Sequence, residues 1–310
     1  MKNPFKYSND NKRYHTLNYF YQNKFKSKVF KVSLDASFTC PNIDGTKGYG
    51  GCIYCLNGSI NNYQDTSKNI IDQFNNGKAI LHKKWPNAKY IAYLQSNSNT
   101  YAPVKKLKSI YEPLIQLDNV VGLNIATRAD CITEECLSYL EDLNKRTYLT
   151  IELGLQTIKE ETSILINRCH SLDCFTNMVK ELRKRNINVV VHIINGLPNE
   201  TKEDMLNTVK YINKLDIQGI KIHMLSIVKG TKLEKLYQKE KFHVLTKEEY
   251  IDIVISQLEL LRPEIVINRI TGDPDKDILI EPQWLIKKFV VLNDIDKEMV
   301  KRNTYQGKLT

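Results

Sequence analysis

Residues 40–55 read CPNIDGTKGYGGCIYC and bring three cysteines, Cys40, Cys52 and Cys55, within sixteen positions. The last two form a C-x₂-C turn. The intervening Gly, Pro, Asn and Asp are turn residues and do not belong to an element interior. A closed zinc or iron–sulfur site takes four protein ligands, so three thiolates leave one position open, on one iron of a four-iron cluster or on a tetrahedral zinc. A zinc ribbon that recruits a distant fourth ligand, Cys131 or a histidine, fits the same spacing. Spacing alone leaves these alternatives open.

The loop follows the first of six strand-like runs, KVFKVSL, YIAYLQ, VVGLNIAT, YLTIELGL, NVVVHIIN and GIKIHMLS. They are short and rich in β-branched residues, as strands covered on both faces are. Amphipathic segments alternate with them, such as TEECLSYLEDLNK and NETKEDMLNTVKYINKL, and Thr133 and Thr201 stand at helix starts with acidic residues in the first turn. Strand–helix alternation predicts a parallel α/β fold, either an incomplete barrel or a doubly wound sheet. In both, ligands sit at the C-terminal strand ends, where the cysteine loop lies. The alternation spans residues 29–261. Residues 262–310 read as a small C-terminal extension, and residues 1–28 as a separate basic, aromatic segment.

The chain has 310 residues, with 45 Lys and Arg against 35 Asp and Glu. Its first 31 residues hold eight cations and one acid, Asp10, interleaved with Phe5, Tyr7, Tyr14, Tyr19, Phe20, Tyr21, Phe25 and Phe30. Cations neutralise phosphates and rings stack on bases, so this composition suits nucleic acid, or equally a solvated tail whose rings pack on the domain. No run approaches the ~18 apolar residues of a membrane span, and the N-terminus lacks a secretory apolar core, which predicts a cytoplasmic protein without membrane contact. Seven cysteines in such a compartment are free, metal-bound or catalytic. The pairs Cys131/Cys136 and Cys169/Cys174, each C-x₄-C in helical pattern, read as buried small residues and not as a second metal site.

The C-I-Y-C turn, the α/β alternation and the segments YLQSNSNTYAP, GLNIATRADC, IELGLQT, VHIINGLPNET, GIKIHMLSIVKGTKL, NRITGDP and RNTYQGK resemble the radical S-adenosylmethionine superfamily. More closely they resemble its YtqA/YhcC-type branch, related to the Elongator catalytic subunit, and the likeness runs over nearly the whole chain. The eleven-residue gap between Cys40 and Cys52 is similar to that branch and longer than the superfamily's usual C-x₃-C-x₂-C. The resemblance implies an α/β fold with a partial (βα)6 TIM-like barrel. It further implies that the three cysteines hold a [4Fe-4S] cluster whose fourth iron is chelated by S-adenosylmethionine, and that an electron from a donor such as flavodoxin or ferredoxin yields a 5′-deoxyadenosyl radical.

For cofactor binding the resemblance points to the backbone of Tyr54 at adenine, Ser96, Asn97 and Asn99 at the methionine amino group, and Arg128 at its carboxylate. Glu152 and Gln156 are assigned to the ribose, and Asn195 and Gly196 to the adenine. A mutual ion pair between Arg128 and Glu152 is the alternative for those two. His192, Lys221 and His223 lie on strands, with Lys221 and His223 on one face, and are the catalytic candidates for proton transfer or substrate carboxylate binding. Arg168, His170 and Arg269 are further substrate contacts, whereas His15, His82 and His243 carry no expected role.

The expected activity is a radical enzyme acting on tRNA, at the C5 substituent of the wobble uridine, removing the carboxymethyl unit of 5-carboxymethylaminomethyl(-2-thio)uridine to leave the 5-aminomethyl form. The alternatives are the same chemistry on a small metabolite or peptide, and a non-enzymatic zinc-binding RNA adaptor.

Overall fold

In the computed structural model, which describes residues 3–56 and 69–310, nine strands alternate with ten α-helices among those residues. The strands are β1 (Val29–Leu34), β2 (Lys89–Leu94), β3 (Val120–Thr127), β4 (Tyr148–Gln156), β5 (Asn188–Asn195), β6 (Gly219–Met224), β7 (Ile227–Val228), β8 (Val266–Arg269) and β9 (Leu279–Glu281). The helices are α1 (Leu17–Phe25), α2 (Ile70–His82), α3 (Val104–Ile115), α4 (Glu134–Arg146), α5 (Glu160–Leu165), α6 (Leu172–Lys184), α7 (Lys202–Ile212), α8 (Lys232–Lys239), α9 (Lys247–Leu260) and α10 (Lys288–Lys301). Seven strands form one parallel sheet in the order β1-β2-β3-β4-β5-β6-β8, curled into a half barrel. The remaining two, β7 and β9, pair antiparallel as a small ribbon.

The period-2 patterning explains the two faces. One set of alternate residues, among them Leu94, Leu123, Ile151, Leu153, Val191 and Ile222, is fully buried beneath the helices. The other set faces the barrel interior and carries Lys31, Tyr93, Asn124, Glu152, His192 and Lys221, with the apolar Val29 and Ile91 nearer the strand starts. Thr133 and Thr201 cap α4 and α7 as their sequences predict, Thr201 in a reciprocal capping box with Asp204.

Two boundaries differ from the sequence reading. The six expected strands are present, and a seventh, β8, comes from the region expected to be an appendage. Its four residues are too few to show a period. The basic N-terminal segment is likewise built into the barrel, with residues 1 and 2 outside the described range. Helix α1 packs against both edge strands, β1 and β8, and on Tyr148 at the start of β4, and so covers the barrel at the N-terminal ends of its strands. Thr16 bridges Ile267, whose N–H donates to the His15 carbonyl at 2.8 Å. The side chain of Gln306 accepts from the His15 N–H at 2.8 Å, which joins the two ends of the chain.

Accordingly Phe5, Tyr14 and Tyr21 are buried, and Tyr7 stacks on His15. The cations are engaged too. Lys6 pairs with Glu264, Lys12 with Asp296 and Lys31 with Glu152, while Lys24 lies 4.6 Å from the Tyr148 ring centre. Among the described residues no helix is long and apolar enough to cross a membrane.

Because Tyr21 fills the small core formed with Val29 and Ile91, Tyr21→Ala is expected to cost about 3–5 kcal/mol. Deleting residues 1–28 is expected to abolish the cooperative transition altogether. Urea unfolding followed by circular dichroism measures both. A truncated chain with an unchanged midpoint would show that the segment is a detachable tail.

Candidate active site

The cysteine loop is a series of tight turns. The Ile43 and Asp44 N–H groups donate to the Cys40 carbonyl at 2.8 and 3.1 Å, and the Cys55 N–H to the Cys52 carbonyl at 3.0 Å. Gly50 and Gly51 both have φ +71°, a left-handed conformation that a side chain would strain, and they deliver Cys52 to the turn. Asn42 anchors the loop by donating to the carbonyls of Asn167 at 2.6 Å and Arg168 at 3.2 Å.

All three cysteines line one cavity of about 390 Å³ at the C-terminal side of the sheet. The hydrogen bond with Cys55 brings the Cys52 thiol down to about 6, against burial and with help from the Arg128 charge. The same hydrogen bond, together with burial, pushes Cys55 up. One thiolate is therefore available near neutrality, the form that ligates metal.

The sulfurs do not converge on a point, for no three Cys, His, Asp or Glu side chains among the described residues are gathered as ligands of a single ion. They sit along the wall of a cavity with room beyond them. Beside them the Ser96 hydroxyl lines the same cavity, buried and without a hydrogen-bond partner among the described residues. Three thiols on one wall, two of them in hydrogen-bond contact, with open volume and a buried hydroxyl beside them, fit a multi-iron cluster with a polar cofactor next to it.

At the floor of the cavity lies Glu152, 1% exposed and midway along β4. Both oxygens are saturated. Oε1 accepts from Lys31 at 2.9 Å and Asn124 at 2.8 Å, and Oε2 from Lys221 and from His192 at 2.8 Å. Burial works to raise this carboxyl, yet the Lys221 and Lys31 charges and the His192 hydrogen bond hold it well below the usual carboxylate range. Lys221 also donates to the Tyr93 hydroxyl at 2.7 Å. Burial lowers Lys221 to about 7, with Glu152 opposing the shift. His192 falls to about 4 by burial and by the nearby Lys221 charge, and His223 is lowered by burial, His192 and Arg269.

The cavity brings together Tyr54, Ser96, Asn97, Arg128, Glu152, Gln156, Arg168, His170, His192, Lys221, His223 and Arg269 with the cysteines. Several expectations change. Arg128 does not pair with Glu152; it forms a bidentate pair with Asp130, both contacts 2.9 Å. Glu152, assigned to the ribose, is mid-strand and sits inside the barrel with its acceptor positions filled, so it offers none to a ribose. Asn99 is buried outside the cavity lining, and its amide donates to the Ser96 and Ala126 carbonyls at 3.0 and 2.8 Å, tying the β2 and β3 ends together. Asn195 shares the strand parity of Val191 and Ile193, so it faces the helices, where its amide exchanges hydrogen bonds with Gln257 at 2.8 and 2.9 Å. The Gly196 N–H is directed at the Met205 sulfur. Neither Asn195 nor Gly196 lines the cavity.

Sequence reasoning missed Lys31, Tyr93, Asn124 and Asp130. A lone Lys in VFKVSL and a lone Asn in VVGLNIAT are the available signals, since a polar residue within an apolar strand faces something polar. Of the cysteine pairs, Cys131 and Cys136 are buried, but Cys169 is exposed and lies before α6 at φ +61°, so neither pair sits on a single helix.

A half-barrel carrying three cysteines at its C-terminal rim is the architecture of the radical S-adenosylmethionine superfamily, and the chain belongs to it. Residues 46–212 match that superfamily and residues 217–301 match the radical SAM C-terminal domain. It is accordingly a radical S-adenosylmethionine enzyme with a [4Fe-4S] cluster and S-adenosylmethionine as cofactors, which removes the zinc-adaptor alternative.

Within the superfamily the chain is 48% identical over 309 residues to the uncharacterized protein YtqA of Bacillus subtilis, covering 99% of this chain and 96% of that one. It is 27% identical over 160 residues to Elongator complex protein 3 of Saccharomyces cerevisiae, 51% of this chain but 28% of that one. Among solved structures, Elp3 of the archaeon Methanocaldococcus infernus, lacking residues 1–46, superposes with a TM-score of 0.68 at 17% identity, over 90% of this chain and 64% of that one. This last likeness is one of fold.

His192 and His223 give a pH dependence with a definite sign. The unfolded chain protonates each near 6.5 and the folded chain only at lower pH, so unfolding takes up protons and stability falls on acidification from about 6.5 toward 4. Each histidine contributes about 1.4 kcal/mol per pH unit at full difference. Glu152 adds stability that is present above its unfolded value and is lost as pH falls below it. Urea titrations at stepped pH are expected to show a flatter slope for His192→Asn/His223→Asn. An identical slope in the variant would contradict the buried, neutral assignment.

Proposed function

We propose that the enzyme acts on tRNA, converting 5-carboxymethylaminomethyl(-2-thio)uridine at the wobble position to 5-aminomethyl(-2-thio)uridine. The observation that carries this reading is charge. Among the described lining residues the cavity has one carboxylate, Glu152, against Arg128, Arg168, Lys221 and Arg269, which favours a substrate with an anionic group near the reacting carbon. The sequence resemblance to the Elongator catalytic subunit supports tRNA as the carrier of that group.

The cluster and S-adenosylmethionine, when bound, would supply a carbon radical able to take hydrogen from the methylene between the substrate's amine and carboxylate. Loss of one further electron to a one-electron acceptor gives the protonated imine, and water then cleaves its C=N bond, releasing the two-carbon unit as glyoxylate and leaving the amine. Cys40, Cys52 and Cys55 are the cluster ligands in this proposal. The Ser96 hydroxyl and Asn97 take the methionine amino end. Arg128, held in one orientation by Asp130, takes the methionine carboxylate. The Tyr54 backbone and Gln156 flank the adenosine. Lys221, poised near neutral pH and oriented by Glu152, exchanges a proton with the substrate amine, with His192 and His223 beside it. A flavodoxin- or ferredoxin-type electron donor and a cytoplasmic setting belong to the same reading.

Anaerobically reconstituted protein with S-adenosylmethionine, dithionite and tRNA from a strain lacking the enzyme tests it by nucleoside mass spectrometry. The expected result is loss of the carboxymethylaminomethyl nucleoside matched by 5′-deoxyadenosine, with about four iron and four sulfide per chain that disappear in Cys52→Ala. If 5′-deoxyadenosine forms while every nucleoside is unchanged, the substrate is a small metabolite or peptide.

A further inference from the structure

Four cationic side chains line the cavity, and three have partners within the protein. Arg128 is paired with Asp130. Arg168, fully buried, donates to the Leu155 and Thr157 carbonyls at 2.8 and 2.6 Å and to the His170 carbonyl at 3.0 Å. Lys221 is paired with Glu152. The fourth, Arg269, forms no hydrogen bond or ion pair with any described residue. It lines the cysteine cavity and also an adjoining hollow of about 310 Å³ between Tyr14, Thr16 and Thr271.

The backbone is distorted to put it there. Along β6 and β8, Ile220 is opposite Ile267, but the next residue, Lys221, is opposite Arg269, so β8 carries one extra residue at this step. In a regular strand Asn268 would take the position beside Lys221, and Arg269 would turn to the helix face with Ile267. With the irregularity, Asn268 and Arg269 both reach the inner side, Asn268 at a small pocket it shares with Asn124 and Thr150, Arg269 at the cavity. Such bulges re-aim side chains at functional sites. A guanidinium presented beside Lys221 with no acceptor among the described residues is suited to an anion that arrives from outside.

We propose that Arg269 is the specificity-determining residue that grips a carboxylate of the substrate through its planar fork, with Lys221 behind it. This rests on the tRNA reading above and names the group by which substrate is told from product: removal of the two-carbon carboxylate unit removes what Arg269 holds, so the amine product is released.

The test compares two anticodon stem-loops that differ only in the wobble substituent, one ending in the carboxymethylaminomethyl group and one in the aminomethyl group. Binding to cluster-loaded wild type, Arg269→Lys and Arg269→Gln is measured at one salt concentration, and iron content and thermal midpoint verify that each variant is folded. Wild type is expected to prefer the carboxylate stem-loop by about tenfold or more, Arg269→Lys to keep part of that preference, and Arg269→Gln to lose it while still binding the amine stem-loop. A preference that persists in Arg269→Gln overturns the assignment. Equal weakening of both stem-loops also overturns it, because it assigns Arg269 to a backbone phosphate. A second arm omits RNA and follows N-ethylglycine by ligand NMR. If wild type ignores both stem-loops but binds this amino acid in an Arg269-dependent way, the tRNA reading falls and the carboxylate assignment stands. If Arg269 has no effect in either arm, the assignment falls.

Discussion

The carboxylate of Glu152 organises this protein's interior. It takes donors from β1, β3, β5 and β6, namely Lys31, Asn124, His192 and Lys221. Neighbouring strands lie ~4.8 Å apart, so in a flat sheet β1 and β6 would be separated by roughly five such steps, beyond the reach of two lysines meeting at one carboxyl. The sheet must curl for these contacts to form. An inward charge on the middle strand thus fixes the curvature that makes a cavity, and the buried ion is tolerable because every acceptor position is filled. Helix α1 then covers the barrel at the N-terminal ends of the strands.

The two ends of the cavity are chemically distinct. At the rim, turn-forming glycines and Asn42 place three thiols on one wall, and Arg128 is already oriented by Asp130. At the floor, Glu152 holds Lys31 and Lys221, while burial keeps His192 and His223 neutral against the pull of its charge. Arg128, Arg168 and Lys221 are oriented by partners within the protein, whereas Arg269 has none among the described residues and is the cavity cation open to an incoming anion.

Much of the fold was legible in the sequence. Six strands and the caps at Thr133 and Thr201 follow from periodicity and helix-start chemistry, and the cysteine loop from its turn residues. Strand β8 and the docking of residues 3–28 were not legible, because a four-residue strand has no measurable period and because basic, aromatic composition describes a packed segment as well as an RNA-binding tail. In the site, Lys221 and His223 share a face as their spacing requires. The role of Glu152 depends on partners 121 and 69 residues away in the chain, and no local pattern encodes such pairings. Asn195 shows the limit of motif reasoning: it sits in the family-like HIINGLP, yet strand parity turns it toward Gln257.

A double-mutant cycle on unfolding free energy with Glu152→Gln, Lys221→Met and the combined variant tests the organising role of this pair most directly. Each single change is predicted to cost about 3–5 kcal/mol by stranding a buried charge, and the double variant to cost well below their sum. Additivity within about 0.5 kcal/mol would mean the two residues act independently, and the floor of the cavity would need a different organising contact.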